Sequence, residues 1–422
     1  MKAQLGALLI LAMTPCAAAT LPLTAPEEAG FSSDRLRQVS AFVERDIATG
    51  KMAGTVTLIA RHGKVVHFEA AGTRGVEDDR PMERDALFRI YSMTKPITTV
   101  AAMILYEEGR FQLNEPVAKY LPEFEGQRLF RDGNLVPPES PMTIEQLMTH
   151  SAGLASASGG SHPVEEAYRE AELFESGNLN EFTDRLARLP LRFEPGRRYH
   201  YSVATDVLGA LIERISGISL EAFFRQRIFE PLGMHDTFFN VPEAKLGRVV
   251  PNHYWDQDQR VMRPIPEANQ SALRGVTLFS GGHGLISSAM DYLVFCEMLR
   301  RGGSFEGTRI LGPKTVQFMT LDHLGEAVRN RGASEFPAYH LYPGQSFGLG
   351  FGVITEPGRS GVISSLGAYS WGGVANTKFW VDPEEDLVAI LMTQIIGSPW
   401  SDQTRFNLKV TTYQALTDLG SD

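Results

Sequence analysis

A chain of 422 residues, 43% hydrophobic and 21% charged, can bury a large core and has neither the composition of a disordered segment nor that of a fibrous protein. Its formal net charge of -10 at pH 7 provides no basic field for phosphates, and the arginines are scattered among acids, which argues against a nucleic-acid partner. No fixed-period repeat or low-complexity tract is present, so a solenoid or propeller is not expected.

The opening, MKAQLGALLILAMTPCAAAT, sets one lysine before an apolar stretch from Leu5 to Met13 and then small residues at Ala17, Ala18 and Ala19. That order predicts a cleaved export signal over residues 1–19, with a buried N-terminal helix as the plainer alternative. The apolar stretch is too short to span a bilayer, so a periplasmic or secreted protein is expected, with no stable membrane span after cleavage. Cys16 lacks the neighbours of a lipid-attachment site. Only Cys296 then remains, which rules out an internal disulfide; within DYLVFCEMLR it reads as inert core.

SSDRLRQVSAFVERDI offers serine caps and places Leu36, Val39, Phe42, Val43 and Ile47 at helical spacing. GTVTLIARHGKVVHFEAAG follows as two β-branched runs around His62-Gly63-Lys64, a hairpin pattern. From about residue 90 to 300 helical periods dominate. There TIEQLMTH carries a capping box at Thr143 and Gln146, while SVATDVLGALIERISG and MDYLVFCEMLR are amphipathic. TKFWVDPEEDLVAILMTQ is a second hairpin turning at Asp382-Pro383, and TRFNLKVTTYQALTDL a closing helix. Connections this short imply antiparallel pairing, because they cannot cross over to a parallel neighbour. The expected fold is therefore α/β of the α+β kind: an antiparallel sheet joining both chain ends, flanked by N- and C-terminal helices, with a mainly helical lobe inserted. The sheet lobe should take about residues 20–88 and 301–422 and the helical lobe about 89–300, with a small-molecule cleft between them.

RIYSMTKPITTVAAM, residues 89–103, places Ser92 three positions before Lys95, with Pro96 next and an apolar run following. An ammonium is strongly hydrated, so its place at the start of a buried helix suggests that its charge is used there. Residues i and i+3 share a helix face, so the two side chains can meet at the first turn, where unpaired N–H groups and the positive dipole end suit an anion. A serine hydroxyl needs such a base and such an oxyanion site to act as a nucleophile, and burial would lower the lysine pKa toward a form that accepts the proton. Alone, S-x-x-K is weak; a capping serine before a solvated lysine has the same spelling. Two further stretches strengthen it. RYHYSVATDVLG carries Tyr201-Ser202-Val203 just ahead of an amphipathic helix, and AYSWGGVANTKFWVDP carries Trp371-Gly372-Gly373 at the head of a strand.

Taken in order, these motifs resemble those of the serine β-lactamase and penicillin-binding-protein superfamily, in its class C β-lactamase-like branch, and most nearly the family VIII carboxylesterases. The likeness extends over nearly all of the chain after the leader and includes THSAGL at 149–154, PLGMHDTFF at 231–239, GGHGLISSAMDY at 281–292 and FWVDPEEDLVAILMTQ at 379–394. It implies one β-lactamase-like hydrolase domain over residues 20–422, with Ser92 as the acylated nucleophile and Lys95 and Tyr201 as its base system. It further implies an oxyanion hole from the backbone N–H groups of Ser92 and Val374, and substrate contacts at Trp371, Gly372, Gly373, His150 and Ser151. The partner it implies is a small-molecule ester, with no cofactor and no metal. Polar neighbours are expected to deprotonate Tyr201 in part, with Lys95 holding it so; which of the two takes the proton is left open.

Where lactamases of this branch have Y-x-N and K-T-G, the chain has Tyr201-Ser202-Val203 and Trp371-Gly372-Gly373. An indole in place of the lysine removes a charge-assisted partner for a β-lactam carboxylate, commonly worth about 1.5–3 kcal/mol. Val203 removes a polar hold on an amide side chain. Both changes favour neutral, apolar acyl groups and hence esters. The rivals are a β-lactamase or D-amino-acid peptidase, an acyltransferase, and an inactive ligand-binding module.

Gly344-Gln345-Ser346-Phe347-Gly348 also matches the G-x-S-x-G nucleophile elbow, but the last histidine is His340, ahead of that serine, and the following GLGFGVI reads as strand. The 10 histidines form no H-E-x-x-H; His150, His235 and His283 are expected to pack or hydrogen-bond rather than ligate. His200 is a candidate for the cleft wall. The acidic PVEEAYREAELFE, residues 163–175, reads as a solvated helix face, with a lid as the alternative.

Overall fold

The computed structural model describes residues 19–157, 161–266, 270–325, 328, 341 and 343–420. The expected leader therefore lies outside the described residues except for Ala19, and so does His340.

Helix α1 (Ser33–Ala48) begins where Ser32 accepts a hydrogen bond from the Arg35 N–H, and it buries Leu36, Val39, Phe42 and Val43. Strands β1 (Gly54–Arg61) and β2 (Lys64–Gly75) form the first hairpin, its turn closed by positive φ at His62 and Gly63, and β3 (Asp78–Pro81) makes one sheet edge. The chain then leaves the sheet for α2 (Thr94–Glu107) and α3 (Ala204–Ser216), which pack on each other. It comes back through α4 (Ala289–Arg300) to β4 (Gln345–Phe347), β5 (Gly352–Ile354), β6 (Tyr369–Gly372), β7 (Lys378–Asp382) and β8 (Leu387–Met392), and ends in α5 (Ser401–Tyr413). The main sheet runs β4-β5-β6-β7-β8-β1-β2-β3, antiparallel at every pairing, so β8 beside β1 joins the two chain ends.

Alternation along the central strands divides the core into two layers. Val56, Leu58, Val381, Ile390 and Met392 face the large core with α2 and α4. Ile59, Trp380, Ala389 and Leu391 face Val39 and Phe42 of α1 and Leu408 of α5. Side chains of successive strand residues point to opposite faces, so a strand buried on both sides reads as a continuous apolar run.

Two details differ from the lobe division. Helix α4, assigned to the helical lobe by the boundary at 300, packs on β8, β1 and β7 and so belongs with the sheet. All its residues from Asp291 to Leu299 are buried, so its pattern does not say which neighbour it faces. The inserted stretch also contains strands: His253–Asp256 pairs with Val261–Pro264 and, in parallel, with Ile395–Ile396. Cys296 is fully buried, and burial pushes its thiol pKa well up, as suits an inert core residue. Among the described residues no helix is long and apolar enough to cross a membrane.

Candidate active site

Helix α2 is buried at every residue from Thr94 to Leu105, which carries its first turn, Lys95 included, into the interior. Ser92 precedes it in the 3-10 turn Tyr91–Met93. Tyr91 adopts φ 45°, a left-handed conformation costing a non-glycine residue roughly 1–3 kcal/mol. Surrounding bonds hold that turn. Asn252 Nδ2 donates to the Tyr91 phenol at 2.6 Å, the Ile90 N–H to Leu285 O at 3.1 Å, and the Tyr292 hydroxyl to Met93 O at 2.9 Å.

Ser92, Lys95 and Tyr201 come together, with exposures of 8%, 6% and 8%. Lys95 Nζ donates to Ser92 Oγ at 3.3 Å and to Gly282 O at 2.7 Å, and lies 4.7 Å from the centre of the Tyr201 ring. Burial raises the Tyr201 pKa above that of an ordinary phenol, although the Ser92 hydroxyl and the Trp371 indole interact with its oxygen and pull the other way. The expected partial deprotonation is thus reversed. A phenolate here would lose its water shell to a pocket walled by the rings of His150, at 4.5 Å, and Trp371, at 5.5 Å.

The segment carrying Tyr201 is clipped to the THSAGL loop. His200 N–H donates to His150 O at 2.8 Å, Ser202 N–H to His150 Nδ1 at 3.3 Å, and Val203 N–H to Ala155 O at 3.3 Å. His150, itself at φ 51°, is 2% exposed, and burial pushes its imidazole pKa well down, so it accepts as a neutral ring. Ser151 shares a hydrogen bond with Thr149 Oγ1 at 2.8 Å. His150, expected to touch substrate, also braces the segment that carries Tyr201, through its carbonyl and its Nδ1.

At the opposite side β6 ends at Gly372, and Gly373 seats the strand end on the turn that carries Ser92. A Cβ on Gly373 would lie 2.3 Å from Thr377 Oγ1 and 2.6 Å from Ile90 O, so only glycine allows that approach. Val374 follows in the turn, and neither its N–H nor that of Ser92 donates a hydrogen bond among the described residues. Trp371 packs on Tyr201 and meets Phe347 edge-on at 5.1 Å, giving this wall an aromatic, uncharged face.

Sequence reasoning missed the device that holds Lys95. Asp206, in the first turn of α3, accepts from Ser280 Oγ at 2.5 Å and from the Gly282 N–H at 3.1 Å, fixing the residue whose carbonyl receives the Lys95 amine. The signal was in GGHG: a Cβ on Gly282 would lie 2.5 Å from the Asp206 carboxylate. His283 beside it stacks edge-on with Phe174, 4.6 Å away, so the acidic 163–175 stretch does reach the site loop. His200 is directed instead toward Glu165 Oε1, 3.8 Å away. Ser346 lies in strand β4, fully buried and bonded to Asp322, which removes the nucleophile-elbow alternative. Among the described residues no cluster of three or more His, Cys, Asp or Glu could hold a metal.

An antiparallel sheet between two core layers, a helix-headed serine with lysine one turn on, and a tyrosine facing them from a second helix head define the serine β-lactamase and penicillin-binding-protein superfamily. The chain belongs to the β-lactamase family, whose family model, described as Beta-lactamase, matches residues 39–412. Its place is the esterase-like branch, and it is a serine hydrolase by descent. It is 32% identical to Esterase EstB of Burkholderia gladioli over 372 residues, 84% of this chain and 89% of that one. It is 26% identical to the monacolin J acid methylbutanoyltransferase of Aspergillus terreus over 403 residues, 89% and 94% of the two chains. Among solved structures, that of EstCE1, described as a hydrolase with promiscuous acyltransferase activity, superposes with a TM-score of 0.77 at 28% identity, covering 90% of this chain and 99% of that one.

Proposed function

We propose that the protein is a carboxylesterase that hydrolyses neutral esters of short to medium acyl length through an acyl-enzyme on Ser92. Ser92 Oγ attacks the ester carbonyl carbon, and its proton passes to the Lys95 amine in its neutral form. The carbonyl oxygen becomes an oxyanion between the N–H groups of Ser92 and Val374. The bond to the alcohol then breaks; the alkoxide takes a proton from the Tyr201 phenol, which regains one from the Lys95 ammonium. Water repeats the sequence on the acyl-serine, releasing the acid and restoring Ser92.

One observation carries the preference for neutral esters: Trp371 stands against Tyr201 where a lactamase of this branch presents a lysine. An apolar acyl group gains there from burial, whereas a carboxylate loses the cation that a lysine at 371 would supply. A p-nitrophenyl ester series measured beside a chromogenic cephalosporin tests the preference, with butyrate turned over far faster; the reverse order would sink it. Labelling of the intact protein by a fluorophosphonate tests the nucleophile. Ser92→Ala should abolish labelling and lower kcat by about 10⁴-fold or more.

Transfer of the acyl group to an alcohol is a second reading, supported by the likeness to a named methylbutanoyltransferase. Both reactions share the acyl-enzyme, so product analysis with added alcohol separates them. The leader-like residues 1–19 support export to the periplasm or medium, which fractionation of the tagged full-length chain would test.

A further inference from the structure

We infer that Arg405, on α5, is a positioning residue for the oxyanion hole: its guanidinium holds and polarises the peptide whose N–H is aimed at the substrate oxygen. This rests on the acyl-enzyme reading above and concerns how the same site stabilises its charge. Arg405 Nη2 donates to Gly373 O at 2.9 Å and more loosely to Thr377 O at 3.4 Å. Gly373 O and the Val374 N–H belong to one peptide unit. In a planar trans peptide these two groups point in opposite directions, so whatever grips the oxygen also sets the direction of the hydrogen.

The surroundings place the two grips on opposite sides. Arg405 reaches Gly373 from α5, while on its other side Gly373 is packed so close to Ile90 O that a Cβ there would stand 2.6 Å away. Ile90 is two residues from Ser92, so the strand end is clamped between the C-terminal helix and the nucleophile turn. The Asn376 N–H also donates to Gly373 O, at 3.1 Å, closing the turn. Asn376 contributes geometry; Arg405 adds a formal charge. A cationic donor on a carbonyl draws electron density through the amide and makes its N–H a stronger donor, a cooperative effect of about 10–30% per bond. The gain grows as the substrate oxygen acquires charge, so it favours the transition state over the ground state.

Arg405 is half-buried on α5, next to the buried Thr404. A Cβ on Gly372 would come within 3.4 Å of Arg405 Nη2, so the glycine pair also leaves room for the guanidinium. The lysine that lactamases of this branch carry at position 371 is absent here, and Arg405 supplies a cation to the same strand end from behind, where it touches the backbone and leaves the substrate face neutral.

The test compares wild type with Arg405→Met and Arg405→Gln. On p-nitrophenyl butyrate the methionine variant should lose about tenfold or more in kcat with KM within about twofold, the pattern of an interaction made in the transition state. With the acyl-enzyme trapped from a ¹³C-carbonyl-labelled bulky ester, the infrared carbonyl stretch should move to higher wavenumber, because the oxyanion donors pull less on the oxygen. Arg405→Gln, which keeps an N–H donor and loses the charge, should fall between the two, and it carries the test if the methionine variant does not fold. Wild-type kcat in a folded variant, or a lower kcat with the stretch unmoved, overturns the inference, the second result assigning Arg405 a structural role alone. A wild-type protein that neither turns over esters nor labels at Ser92 overturns the acyl-enzyme reading instead.

Discussion

Tyr201 meets the Ser92 hydroxyl with a buried phenol, and burial keeps that phenol protonated at neutral pH. Were it the base, its ionisation would set the acid limb of the kcat/KM profile. On the proposed mechanism the raised pKa makes Tyr201 a donor and relay, while Lys95, 3.3 Å from Ser92 Oγ, accepts. Tyr201→Phe should therefore lower kcat by roughly 10²- to 10⁴-fold while the acid limb of kcat/KM stays where it is in wild type. A steady-state pH series checks this, and disappearance of the limb would return the base role to the phenol. Nothing in RYHYSVATDVLG reveals the direction of that shift, because it depends on rings brought from His150 and Trp371.

At the scale of elements, the site is a junction of two helix heads, one loop and one strand end. Lys95 points at Ser92 because Gly282 O receives it, and Gly282 is placed by Asp206 of α3. The strand end seats against Ile90 because residue 373 has no side chain. Gly373→Ala would force Thr377 and the Ile90 backbone apart by several tenths of an ångström or more. The expected result is a fall in kcat of about 10²-fold, from displacement of the oxyanion donor proposed at Val374, in a protein that still folds. Kinetics and circular dichroism together check it; an alanine variant with wild-type kcat would show that the strand end does not control the site.

For the whole molecule, the sheet between two apolar layers is the platform on which the junction rests. Ile390, at the middle of β8, is fully buried in the larger layer, and Ile390→Ala should cost roughly 2–5 kcal/mol in urea unfolding. Lys378, on β7, is half-buried with its amine on Ser370 Oγ at 3.2 Å; desolvation, with Arg405 and Lys409 near, pushes its pKa down from 10.5 to about 7. Below about pH 7 it is charged in both folded and unfolded chains, and the desolvation cost is fully present; between 7 and 10.5 only the unfolded chain holds the proton, so that cost is relieved as pH rises. Lys378→Met should accordingly raise the thermal midpoint more at about pH 6 than at about pH 9. Scanning calorimetry at the two values checks the sign, and an equal gain at both would mean that Lys378 is not desolvated in the native state.

Local rules written along the chain were enough for much of this protein. Period-two and period-3.6 patterns placed both hairpins and α1, the Thr143 capping box was visible in four letters, and Ser92-x-x-Lys95 followed from the spacing of a helix turn. The same letters misplaced α4 and did not show that His150 braces the segment carrying Tyr201. A helix buried on every side has no stripe to show its partner, and a polar residue in a motif does not show whether it faces a ligand or braces the residue that does. The Lys95–Gly282–Asp206 chain, the upward shift of the Tyr201 pKa and the grip of Arg405 on Gly373 were decided by the tertiary structure alone. Each depends on groups distant in sequence that share a desolvated space, and desolvation belongs to the packed molecule rather than to any stretch of its chain.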